Sequence, residues 1–183
     1  MFSVASAPQF SPQWQAELSD YVTAIAWAPE GNLLAATSAA GEIVVFTRDG
    51  RDRQVLLKGK GQSMDALGIS HDGQYLAVGG QDGSVQIWQN SPDGYLPLTS
   101  LADTRVWVDQ LAWSPTQNLL AFGLGKYVQV WDAQSQSVVT TLPFEQSSVL
   151  AMTWHPDGDR GVGAGAGRSK SSSSIAGVTD ATG

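Results

Sequence analysis

Cysteine is absent from the chain, which excludes disulfides, thiolate metal centres and a cysteine nucleophile at once. Histidine is nearly as scarce, with two in 183 residues and no second histidine at metal-ligand spacing. Charged residues make up only 15%, and their balance is acidic, a formal net charge of -7. The clustered Lys and Arg that a nucleic acid or an anionic membrane requires are therefore missing. No stretch approaches the roughly 18 uninterrupted apolar residues of a membrane-spanning helix. Residues 1–14 lack the basic start and apolar centre of a signal peptide. The expectation is a soluble, cytoplasmic protein without a cofactor, a nucleic-acid partner or a membrane partner.

What is present is aromatic and small. Hydrophobic residues reach 42%, with seven Trp and twenty Gly, the mixture that buried strands joined by tight turns would use. Four segments superpose without gaps: 22–27, 64–69, 108–113 and 149–154. Each carries large apolar residues at its first, fourth and sixth positions, as in Val22, Ile25 and Trp27 or Val108, Leu111 and Trp113. The sixth positions (Trp27, Ile69, Trp113 and Trp154) recur about 42 residues apart, a period that signals an array of structural repeats.

Each segment runs into a turn, at 28–31, 70–73, 114–117 and 155–158. Proline in the second place presets φ, and glycine in the fourth accepts a positive φ. A second strand is predicted at 33–38, 75–80 and 119–123, ending in small residues where backbones approach closely. A third, at 43–46, 85–88 and 128–131, ends in Phe46, Trp88 or Trp131, and a looser fourth covers 53–58, 96–101 and 138–142. The unit is thus a four-stranded antiparallel sheet, apolar on both faces and unable to stand alone. Stacking such sheets radially buries both faces, which is the propeller arrangement.

On these residues the chain resembles the WD40-repeat family. The resemblance rests on Trp131-Asp132, on Trp88 and Phe46 at the equivalent place, on Asp82-Gly83 before a third strand, and on the proline-containing turns. Its wording is similar to that of cyanobacterial members. The Gly-His pair of many repeats is replaced by Leu18, Lys60, Thr104 and Glu145, and only Asp82 and Trp88 of the second repeat keep the associated network. Apolar packing is therefore expected to hold the blades.

The expected division is an N-terminal extension (1–12), an orphan outer strand of a closing blade (13–18), blade 1 (19–58), blade 2 (59–101), blade 3 (102–142), the start of a fourth blade (143–160), and a disordered Gly/Ser-rich tail (161–183). The fold class is all-β, a partial propeller that does not close, and the chain reads as a fragment of a larger ring. A half-ring that pairs with a second copy through open blade edges is the alternative.

No catalytic constellation emerges. His71 and His155 lie in turns, and neither has a Ser and a carboxylate placed as nucleophile and orienter. Asp72, Asp82, Asp93 and Asp157 neighbour glycine in turns, where Asx hydrogen bonding explains them. The glycines from Gly161 to Gly167 match neither a Walker loop nor a dinucleotide fingerprint. The resemblance implies a non-enzymatic scaffold that binds proteins through the rim before each first strand. The positions that carry over are Ser19 and Tyr21, Gly61 and Ser63, Arg105 and Trp107, and Gln146 and Ser148. The candidates for partner binding are Tyr21, Ser63, Arg105, Trp107 and Ser148, because Tyr, Trp and Arg anchor interfaces. Trp107 is open to two readings, a rim anchor or packing between blades. The structural repeat residues are Trp27, Phe46, Asp82, Trp88, Trp113, Trp131, Asp132 and Trp154. An enzyme whose active site lies in the channel of the complete ring is the other class of function.

Overall fold

The computed structural model describes residues 10–101, 105–144, 148–158, 160–166 and 173–179. These form β-strands and connecting turns, with no helix among them. Strands β1 (Val22–Trp27), β2 (Leu33–Ser38), β3 (Ile43–Thr47) and β4 (Arg53–Leu57) make the first antiparallel sheet in chain order. The second holds β5 (Met64–Ile69), β6 (Tyr75–Gly80), β7 (Val85–Ser91) and β8 (Gly94–Leu101). The third holds β9 (Leu111–Trp113), β10 (Leu119–Leu124), β11 (Tyr127–Asp132) and β12 (Ser137–Pro143). A last sheet has three strands, β13 (Val149–Trp154), β14 (Arg160–Ala166) and β15 (Ser173–Thr179).

The first-to-second strand turn forms where proline and glycine predict it. Gly31, Gly73 and Gly158 hold φ of 66°, 72° and 80°, a region that L side chains disfavour. Their amides donate back to the carbonyls of Ala28, Ser70 and His155. Three of the four inner strands are also bulged at one equivalent place. The register slips between Val22 and Ala24, Met64 and Ala66, and Val149 and Ala151, leaving Thr23, Asp65 and Leu150 outside regular pairing. A bulge sharpens the local twist and re-aims the side chains beside it.

The alternation of apolar residues becomes a rule of stacking. Met64, Leu67 and Ile69 of β5 face backward onto Ala35, Ile43 and Val45 of the first sheet. Val108, Leu111 and Trp113 face backward onto Ala77, Val85 and Ile87. Val149, Met152 and Trp154 face backward onto Ala121, Val128 and Val130. Every rear trio is large, and every forward trio is built from Ala and β-branched residues, so the layers interdigitate. The second interface adds Tyr75, Trp113 and Trp131, with ring centroids 6.0 to 6.4 Å apart. The indole nitrogens of Trp113 and Trp131 are buried without a hydrogen-bond partner, so these rings contribute through packing. Asp82 spends its carboxylate locally, accepting from the amide and hydroxyl of Ser84 at 3.0 and 2.8 Å. Asp132 accepts from the amides of Gln134 and Ser135 at 3.0 and 3.1 Å.

Polar ties between sheets are few and specific. The Gln54 side-chain amide donates to the Tyr95 carbonyl at 2.9 Å and accepts from the Tyr95 amide at 3.0 Å. The Tyr95 hydroxyl donates to the Gly73 carbonyl at 2.9 Å, and burial, with the Asp72 charge adding to it, pushes this phenol up to about 12. Asn118 donates to Asp72 at 2.7 Å, tying the third sheet to the second. The Trp154 indole donates to the Ala112 carbonyl at 2.9 Å, tying the last sheet to the third.

Three expectations need correction. Residues 13–18 do not form a strand; Trp14 and Leu18 lie against Ala36, Val44 and Phe46. Among the described residues the segment has no strand beside it, and its apolar side chains make the contact. The pattern does not stop after Asp159, because β14 pairs antiparallel with β13 and β15 with β14. A ladder is made by backbone groups, which glycine, alanine and serine supply as well as any residue; residues 1–9, 167–172 and 180–183 of the expected extension and tail lie outside the described residues. Trp27, expected as a structural residue like Trp113 and Trp154, is 51% exposed, since among the described residues no sheet packs on that face.

The close approach of sheet ends yields a first prediction. A Cβ on Gly80 would lie 2.3 Å from the Ser63 carbonyl oxygen, a backbone atom that cannot rotate away. Gly80→Ala is expected to cost about 1–3 kcal/mol through overpacking, read as a lowered denaturant midpoint. The Asp72 tie yields a second. Burial raises its carboxyl, but hydrogen bonds from Asn118, Ser70 and the Gln74 amide outweigh it and hold the group below the ordinary 3.8. The stability it confers is full above that ordinary value and is lost as pH falls through the lowered one. Asp72→Asn should therefore be less stable at neutral pH, by up to about 1 kcal/mol for so exposed a pair. The difference between variant and parent should narrow in denaturant titrations below about pH 4.

Candidate functional site

The start of each inner strand and the loop between second and third strands share one end of every sheet. Backbone hydrogen bonds fix this rim: the Ala39 amide donates to the Tyr21 carbonyl, and the Gln81 amide to the Ser63 carbonyl, at 2.8 and 2.9 Å. The turns that bear His71 and His155 lie at the opposite end, since each inner strand runs from rim to turn.

Of the five sequence candidates, four are open to solvent. Tyr21 is 84% exposed and Trp107 60% exposed, and Arg105 and Ser148 are exposed as well. Trp107 thus lies on the surface and is not packed between sheets. Its place follows from Val108, which turns inward against Gly79 and whose amide donates to the Gly80 carbonyl at 3.0 Å. The residue before it is directed the other way. Ser63 departs from the expectation. It is 8% exposed, its hydroxyl donates to the Asp65 carboxylate, and Gly80 closes over its carbonyl. A small residue beside a glycine is enclosed where a large one would protrude. Gln146 lies outside the described residues.

The bulges bring further residues to this end that the repeat pattern did not single out. Leu150, at the bulge of β13, is 59% exposed, and Asp109, at the equivalent position of the third repeat, is exposed too. The available signal was the pair of residues between the first and fourth apolar positions, where strict alternation breaks. Glu42 closes the rim of the first sheet. Its carboxylate accepts from the Ser19 amide at 2.7 Å, and that hydrogen bond holds its carboxyl below the usual carboxylate range against the opposing effect of burial.

The rim therefore presents aromatic side chains among acidic and basic ones, on a backbone fixed by the sheets beneath. Such a surface can bury an aromatic anchor and pair charges at its margin. Among the described residues there is no group of three His, Cys, Asp or Glu placed to hold a metal ion. His155 pairs only with Asp157, at 2.8 Å, in an exposed turn.

Comparison with known proteins agrees with this architecture. Residues 25–96 match the model of the anaphase-promoting complex subunit 4 WD40 domain. A WD repeat-containing protein 26 homolog of Arabidopsis thaliana is 33% identical over half of the chain and 16% of its own length. The anaphase-promoting complex subunit cdc20 of Dictyostelium discoideum is 31% identical over 73% of the chain and 27% of its own length. Among solved structures, a chain of the mitotic checkpoint complex superposes with a TM-score of 0.69 at 28% identity, covering 84% of this chain and 48% of that one. The chain thus spans about a quarter or less of these curated relatives and under half of the solved one. The matching family model is a WD40 domain and the relatives include WD repeat-containing proteins, so the chain is similar to WD40-repeat proteins in sequence and in fold.

Proposed function

We propose that the chain is a non-catalytic protein-interaction scaffold whose partner docks on the rim around Tyr21 and Trp107. One observation carries this reading. Two large aromatics stand at equivalent places in different repeats, largely exposed, although neither is needed to hold a sheet together. Exposed Tyr and Trp flanked by Arg105, Asp109 and Leu150 have the composition of an interface centre with a polar margin. The relatives support the class of function: one is named as a subunit of the anaphase-promoting complex and another lies within the mitotic checkpoint complex. The chain spans under half of the solved relative and about a quarter or less of the curated ones, which supports reading its sheets as part of a larger ring.

The test is affinity capture with the tagged chain from a lysate of its source organism. Tyr21→Ala combined with Trp107→Ala should abolish the captured partner while leaving the unfolding midpoint within about 0.5 kcal/mol of the parent, as surface substitutions do. Undiminished capture by the double variant would place the function elsewhere.

A further inference from the structure

Each four-stranded sheet ends on an outer strand that pairs on one side only among the described residues: β4, β8 and β12. Such an edge is a template for another chain unless the sequence guards it. Two of the three are guarded. β4 opens on Arg53, with Arg51 before it and Lys58 and Lys60 after it, all exposed. β8 carries Pro97 in its middle, which has no amide to donate to an added strand. β12 has neither device. No charged residue stands between Ala133 and Phe144, and proline comes only at the last position of the strand, Pro143. The centre of β12 is Val138-Val139-Thr140-Thr141, all β-branched and suited to a strand. Val138 and Val139 are 40% and 52% exposed.

The ladder with β11 shows which backbone groups of this edge face outward. The Phe144 amide donates to the Lys126 carbonyl at 2.7 Å. The same register continues with Leu142 opposite Val128 and Thr140 opposite Val130. Backbone groups alternate in direction along an antiparallel strand. Leu142 and Thr140 therefore turn theirs toward β11, and Thr141 turns its own outward. The register then passes over Val139, the extra residue of a bulge. All three outer strands carry a bulge, so charge and proline are what set β12 apart.

We propose that β12 is a self-pairing edge, along which two copies of the chain join antiparallel about a two-fold axis at Thr140. Pairing about a two-fold axis brings each part of a surface against itself. A charged edge then repels itself, because like charges set opposite each other are destabilising, and an uncharged edge does not. This selects a second copy as the occupant, since β12 offers a foreign strand no charge to recognise. The position of the axis follows from the backbone directions. Centred on Thr140, the pairing sets Val139 opposite Thr141 and Val138 opposite Leu142 of the other copy. Thr140 meets Thr140, a cross-strand contact that stabilises antiparallel pairs. Two four-stranded sheets thereby become one continuous sheet. Because paired strands run in opposite directions, the two rims point to opposite sides, and Trp107 of each copy stays open. The inference goes beyond the rim reading and stands without it. A single ladder is a small interface, of the class under roughly 1,200 Å² that forms weak, reversible pairs.

Sedimentation equilibrium of the full chain, from micromolar to hundreds of micromolar, should show a monomer passing into a species of twice its mass. Val139→Lys combined with Thr141→Lys should raise the dissociation constant at least about tenfold. Both residues are exposed, so the far-UV spectrum should not change. Mixing this chain with one carrying Val139→Glu and Thr141→Glu should restore association as a heterodimer. The absence of cysteine permits a measurement that needs no charge variant. Thr140→Cys should give a disulfide-linked dimer on mild oxidation, because Cα atoms of a non-hydrogen-bonded pair lie about 4.5 Å apart, within disulfide reach. Leu96→Cys, 49% exposed on the guarded edge β8, should stay monomeric. A chain that is monomeric throughout, or that aggregates without a discrete dimer, would overturn the proposal. So would lysine variants that associate as the parent does, or equal crosslinking through Leu96→Cys. Tyr21→Ala with Trp107→Ala should leave the dimer intact, so lost capture by that variant bears on the rim and not on this edge.

Discussion

The structure depends on sheets that have no dry side of their own. Each four-stranded unit is apolar on both faces, so its stability comes from neighbours. The large rear trio of one sheet, such as Val108, Leu111 and Trp113, is shaped to the small forward trio of the one before, Ala77, Val85 and Ile87. From this follow the repeat length, the small residues of the second strands and the aromatic that ends each third strand. The rim is free of these demands. Its side chains project beyond the stack, and the bulges at Thr23, Asp65 and Leu150 loosen the link between packing and surface.

Polar groups have a subordinate part. Trp113 and Trp131 are packed by each other and by Tyr75 with their indole nitrogens unpaired, where a hydrogen-bond network serves in many relatives by resemblance. The ties that do cross between sheets, Gln54 to Tyr95 and Asn118 to Asp72, set the alignment of surfaces already brought together by apolar burial. Their net worth is modest, since each replaces a bond to water.

Much of this architecture was legible in the sequence because it is repeated. Three superposed repeats fix strand positions to within a few residues, and the turn glycines mark the hairpins by a backbone need that few other residues meet. What could not be read is what lacks a repeat to compare with. The strands β14 and β15 are rich in glycine, alanine and serine, and hydrophobic patterning is silent there. Residues 13–18 carry the alternation of a strand but, among the described residues, have no strand beside them, and they lie as an apolar strap. Ser63 and Trp27 were misjudged for a common reason. Position within the repeat was legible for both, but burial depends on the neighbour, which is Gly80 for one and, among the described residues, no sheet for the other. Tyr21 and Trp107 stand outside the apolar alternation, and both are exposed.

The unequal numbers of neighbours have a kinetic consequence. In a stack where each sheet touches only the next, free energy is a sum over adjacent pairs, and the members are not equivalent. Among the described residues, the first and last sheets each pack on one other sheet and the second and third on two. Opening should therefore proceed inward from the ends, with amide protons of β6, β7 and β10 exchanging last. The Trp113 and Trp131 rings, at the seam between the two middle sheets, would report the final step of melting by their fluorescence.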